Sequence, residues 1–194
     1  MLGIDPGLSR CGYGLVAAGG GEERAVSAGV VTTPRELPLP ECLATLRRDL
    51  GELVAEVRPD VVVVERVFFQ TNARTAMSVG QASGVALLSA AEAGCEVAEY
   101  SANEVKLAVA GYGAATKEQV QEMVARLLHL PRPPRPPDAA DALALALCHL
   151  ASSRAGRLAA KSSGPAGTAA APVPRAALAT HESAAESRLT GARR

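Results

Sequence analysis

The chain has 194 residues, 48% of them hydrophobic and only 3% aromatic, enough for one ordinary domain with a Val, Leu and Ala core plus an appendage. Its formal net charge is zero, yet residues 1–150 carry 13 Lys+Arg against 18 Asp+Glu and residues 151–194 carry 7 against 2, so an acidic body is offset by a basic end. Four cysteines without a C-x-x-C pair argue against a disulfide framework or zinc finger; with no leader and no run of about 18 apolar residues, the expectation is a cytoplasmic protein with reduced thiols.

The first element is the short apolar run MLGID, which ends on an acid and a PG turn. GYGLVAA and AVSAGVVTT then read as strands, and their short links predict an antiparallel meander. PLPECLATLRRDLGELVAEVRP places Leu and Val at three- and four-residue spacings and stops at Pro59, as an amphipathic helix does. DVVVVE is apolar on both faces and suits a buried central strand. A helix is expected from about Asn72 to Ala93, then a strand at CEVAEY. The capping boxes SANE and TKEQ open two helices, the second ending near His129. The last helix is expected from about Asp138 to Ala151. The order βββαβαβααα predicts an α/β domain over residues 1–151, a mixed five-stranded sheet covered on both faces. Residues 152–194, rich in Ala, Ser, Gly, Pro and Arg, read by composition as a disordered tail.

Four acids are out of place in this pattern. Asp5 and Glu65 each end an apolar strand, and Asp138 and Asp141 stand at i and i+3 in the first turn of the apolar segment DAADALALAL. N-capping accounts for one aspartate there, at about 1 kcal/mol, but not easily for the second. If the two strands are neighbours, the four carboxylates converge with no basic residue in their own motifs. Such a cluster repels itself unless cations neutralise it. All-oxygen ligation points to Mg2+, with Mn2+ as the alternative, and two ions about 4 Å apart suit attack of water on a phosphodiester. His149, about 12 Å along the helix from Asp141, is expected to be structural.

The blocks GIDPGLSRCGYG, VVVERVFF, GQASGVAL and PPDAADALALAL, in this order and spacing, resemble the RuvC-type Holliday junction resolvases over about residues 1–151. The resemblance implies a ribonuclease H-like fold. It further implies a homodimeric, Mg2+-dependent endodeoxyribonuclease, with two ions per site, that nicks four-way DNA junctions symmetrically in recombination and repair, alongside the branch-migration proteins RuvA and RuvB. Carried over by position, it makes Asp5, Glu65, Asp138 and Asp141 the catalytic, metal-binding acids; some members have histidine where this chain has Asp138. Phe68 takes the place of an aromatic used against an unstacked junction base, where the residues alone would equally allow a core phenylalanine. Lys106 and Lys117 match lysines facing DNA or the scissile phosphate, although pattern alone makes them solvated helix residues. Arg66 and Arg74 flank the same loop and are candidate phosphate contacts through proximity in sequence. The small residues of GQASGVALLSAAEAG suit either the family's dimer interface or close packing on the chain's own sheet. Two other readings stand beside this one. GIDPG also resembles the first phosphate loop of actin-like ATPases, which need a second loop and domain, and a junction-binding module without catalysis would lack one or more of the acids.

Overall fold

The computed structural model describes residues 1–19, 22–67 and 73–162, without the side chains of residues 73, 74 and 157–162. Strand β1 (Leu2–Asp5) pairs antiparallel with β2 (Arg10–Gly19), and β2 with β3 (Glu22–Thr32). On the other side of β1 the strands β4 (Val61–Glu65) and β5 (Glu96–Tyr100) run parallel, giving the order β3-β2-β1-β4-β5. The helices are α1 (Leu39–Val57), α2 (Ala73–Glu92), α3 (Ala102–Ala110), α4 (Lys117–Leu127) and α5 (Pro137–Ser162). This is the expected element order. Helix α1 stops where Arg58 turns left-handed (φ 43°), because Pro59 disfavours a helical residue before it.

Alternation along the strands sorts side chains to two faces. Leu2, Ile4, Val62 and Val64 point to one face, where they pack with Leu46 and Leu50 of α1 and with Ala82, Ala86 and Ala90 of α2. Val16, Val61 and Val63 point to the other and meet Leu143 and Leu147 of α5, Val105 of α3 and Val124 of α4. Asp5 and Glu65 continue this second face at the strand ends, two residues beyond Gly3 and Val63.

Glycines let α5 lie directly on that face. A Cβ on Gly3 would stand 1.9 Å from the Ala142 carbonyl oxygen, one on Gly12 2.2 Å from that of Asp138, and one on Gly14 2.7 Å from the Leu143 nitrogen. Glycine in a strand here marks close approach of another backbone. The track fixes where the first turn of α5 sits, and so where Asp138 and Asp141 emerge.

Both predicted capping boxes are formed. Ser101 Oγ accepts from the Glu104 amide at 3.3 Å while Glu104 Oε2 accepts from the Ser101 amide at 2.7 Å, and Thr116 and Gln119 repeat the arrangement. Ser101→Ala is therefore expected to lower stability by about 1 kcal/mol in a denaturant titration, without altering the fold.

Helix α5 continues to Ser162, past the end expected near Ala151. Extending an existing helix needs no new nucleus, so the Ala, Leu, Arg and Lys of residues 152–162 suffice, and Arg154 pairs with Glu23 of β3. All four cysteines are free, and burial pushes the Cys11 thiol up to about 12. Among the described residues no helix is long and apolar enough to cross a membrane.

Candidate active site

Parallel pairing of Leu2 with Val62 and Ile4 with Val64 brings Asp5 and Glu65 side by side at the carboxyl ends of adjacent strands, as the strand pattern led one to expect. They line a cleft of about 300 Å³ together with Asp141, Lys106 and Lys117, over an apolar floor that includes Val105, Val120 and Leu145. Five elements build the walls: the edge of β1 and β4, the first turns of α3 and α4 set by their capping boxes, and α5 on its glycine track.

The electrostatics are those of crowded acids. Burial, then Glu65 and Asp141, push the Asp5 carboxyl up to about 8. Burial also raises Glu65, partly offset by a hydrogen bond with the Asp5 carboxyl, and raises Asp141. With its value raised to about 8, the Asp5 carboxyl keeps its proton at neutral pH, so the pair carries one negative charge where two anions would otherwise meet.

The chain's own cations hold the other two acids. Lys117 Nζ lies 2.6 Å from Asp141 Oδ2, and this contact raises the lysine above its ordinary value. Arg10 Nη2 lies 2.8 Å from Asp138 Oδ2 and holds that carboxyl below the usual range. Asp138 does not line the cleft. The expectation that the acids meet with no basic residue in their own motifs thus needs correction, because Arg10 belongs to the same GIDPGLSRCGYG block as Asp5. Among the described residues no three acid, histidine or cysteine side chains are already gathered closely enough to hold a metal ion. The donor chemistry nevertheless fits one: the oxygens are hard, those of Asp5, Glu65 and Asp141 line one cleft with Asp138 at its edge, and the raised Asp5 carboxyl marks a place where positive charge is needed.

The remaining sequence candidates divide. Lys106 lines the cleft and also an adjoining groove with Glu65, Arg66, Ser101 and Asn103. Arg66, just past β4, is turned to the neighbouring strand β5, donating to the Glu99 carbonyl at 3.0 Å, with Glu104 at 3.9 Å. Phe68 and the side chain of Arg74 lie outside the described residues. His149 is structural, as expected: its Nδ1 is 3.1 Å from the Tyr100 hydroxyl and its Nε2 3.1 Å from Ser153 Oγ, and burial lowers its pKa. Arg10 was the residue missed. Its signal is weak in the sequence, a basic residue two positions before a glycine on one strand face.

Comparison with known proteins gives a consistent picture. The family model described as "Crossover junction endodeoxyribonuclease RuvC" matches residues 1–149. A relative of that description from Syntrophomonas wolfei is 47% identical over 154 residues, covering 79% of this chain and 90% of its own length. The solved structure of Thermus thermophilus RuvC in complex with a Holliday junction substrate superposes with a TM-score of 0.75 at 40% identity, covering 80% of this chain and 94% of the other. The yeast mitochondrial Holliday junction resolvase Ydc2 is only 14% identical, with a TM-score of 0.62 over 83% of this chain and 82% of its own, a likeness of fold alone. The fold is ribonuclease H-like.

Proposed function

The chain belongs to the RuvC family of crossover junction endodeoxyribonucleases, and we propose that it resolves four-way DNA junctions by metal-assisted hydrolysis at the cleft between β1, β4 and α5. The observation that carries the site assignment is the Asp5–Glu65 carboxyl pair, side by side on adjacent strands and facing Asp141 across one cleft.

In this reading Asp5, Glu65, Asp138 and Asp141 would hold Mg2+, or Mn2+, two ions per site. Divalent ions bound there supply charge neutralisation at the phosphodiester and favour in-line attack by water. The chain's own groups do the rest. The Asp5–Glu65 pair gives up its shared proton on taking up a cation, since the two occupy the same electrostatic need. Lys117, released from Asp141, keeps its ammonium at the cleft wall, where it meets a phosphate oxygen. Lys106 faces it from α3 and positions the strand. The apolar floor of Val105, Val120 and Leu145 limits water around the charged groups.

Cutting a junction symmetrically requires two such sites related by a two-fold axis. Helix α2 offers a face for this. Met77 is 63% and Leu88 51% exposed, and Gly80 and Gly84 between them meet nothing within 4 Å, so a second copy could approach closely. We take the protein to act as a homodimer in the cytoplasm, in company with RuvA- and RuvB-type branch-migration proteins. Residues 1–151 form the nuclease domain.

The test is cutting of a synthetic four-way junction against a linear duplex of the same arms, with and without Mg2+. Cutting of the junction alone, and only with metal, is expected; equal cutting of the duplex would refute the reading. A second test concerns Phe68, which we assign to stacking on an unpaired junction base next to Glu65. Phe68→Ala is expected to slow junction cleavage at an unchanged melting temperature, stacking being worth about 1–3 kcal/mol per base. A fall of about 3–5 kcal/mol in stability, with the folded fraction cutting normally, would instead mark a core side chain.

A further inference from the structure

One acid of the four stands apart. Asp5, Glu65 and Asp141 line the cleft, whereas Asp138 is drawn to its outer edge by Arg10. The backbone explains why the contact is so direct. Residues two apart on a strand share a face, so Arg10 points to the same side as Gly12, and Gly12 is where a Cβ would strike the Asp138 carbonyl oxygen at 2.2 Å. The first turn of α5 therefore rests on β2 just beyond Arg10, which brings the guanidinium to 2.8 Å from Asp138 Oδ2.

We propose that Arg10 is a positioning residue that competes with divalent cation for Asp138, so that filling the site is an exchange of guanidinium for metal at that carboxylate. The proposal rests on the metal-binding reading given above. Lys117 makes the corresponding contact with Asp141, but from inside the cleft, where it stays useful once displaced. Arg10 approaches from β2 and does not line the cleft, and its side chain is 44% exposed, free to swing into solvent on release. In the absence of metal the arginine holds the negative charge of Asp138 at the edge of the crowded cleft and neutralises it there. With metal present, Asp138 becomes a ligand only when that hold is broken.

The experiment is calorimetric titration of the full chain with Mn2+, without DNA, for wild type, Arg10→Gln and Arg10→Lys, each with a melting curve in chelator. Competition predicts that Arg10→Gln binds Mn2+ about two- to fivefold more tightly, the range expected from loss of one partly exposed ion pair, and that Arg10→Lys restores wild-type binding. An unchanged affinity with a lowered melting temperature would make Arg10 a purely structural contact. A weakened affinity would mean that Arg10 aims Asp138 at the metal. Either result overturns the proposal while leaving the metal site standing. Failure of the wild type itself to bind Mn2+ would overturn both this proposal and the metal-binding reading, and Asp5→Asn, expected to lose binding, serves as the control that locates the ions.

Discussion

Asparagine at Asp5 is expected to abolish cutting of a four-way junction and, in the same protein, to raise the melting temperature measured in chelator. The two effects share one cause. Asp5 is buried and faces Glu65 and Asp141, so without metal its negative charge is opposed by desolvation and by its neighbours. Asparagine keeps the shape and removes the charge, which relieves the metal-free fold and removes a proposed ligand. The pH dependence follows from the sign of the shift. The folded-state value of about 8 lies above the ordinary 3.8, so ionisation of Asp5 destabilises the fold fully above about pH 8 and progressively less as pH falls toward 4. The gain from Asp5→Asn should therefore be largest at pH 8–9 and fade in acid. Junction affinity in gel-shift assays should be equal or higher, because a charge beside the phosphates is gone. A variant that still cuts at the wild-type rate, or that melts earlier than wild type at pH 8, would contradict the assignment.

The second large effect is expected at Gly3, a position with no polar chemistry of its own. An added Cβ would meet the Ala142 carbonyl oxygen at 1.9 Å and the Ala146 nitrogen at 3.1 Å. Both are helix backbone and cannot rotate away. Gly3→Ala must lift α5 off β1, at a cost of about 1–3 kcal/mol or more. Lifting the helix also moves Asp138 and Asp141 away from Asp5 and Glu65. Cleavage by the folded fraction should thus fall far more than stability does, with the loss read as junction cutting at a temperature where melting curves show the variant folded. Normal cutting by a destabilised variant would mean that the track supports the core without setting the site.

These two positions also mark the limits of what was legible in the sequence. Asp5 and Glu65 could be placed because each ends an apolar strand, and strand alternation together with parallel pairing of the first and fourth strands leaves them adjacent. The helix starts were legible for a local reason, since Ser101–Glu104 and Thr116–Gln119 carry their own capping partners within four residues. Gly3, Gly12 and Gly14 were visible only as strand residues. That they are a seat for α5 depends on a helix more than a hundred residues later. The Arg10–Asp138 pair spans 128 positions and has the same difficulty. The end of α5 was misplaced because composition describes a segment in isolation, whereas residues 152–162 continue a helix already formed and gain the Arg154–Glu23 contact.

The two-faced core has a consequence for the order in which the protein is made. One face of the sheet is closed by α1 and α2, and every buried residue of that cluster lies at or before Ala90. The other face waits for α5, the last described element in the chain, which brings both Leu143 and Leu147 and the acids Asp138 and Asp141. During synthesis from the amino end, half of the sheet can be covered while the carboxylate side is still bare. A ribosome that stalls before residue 138 releases a chain that has Asp5 and Glu65 but no helix to set over them. Because two of the four proposed ligands sit in the last described helix, the candidate site cannot be assembled until that helix has been made.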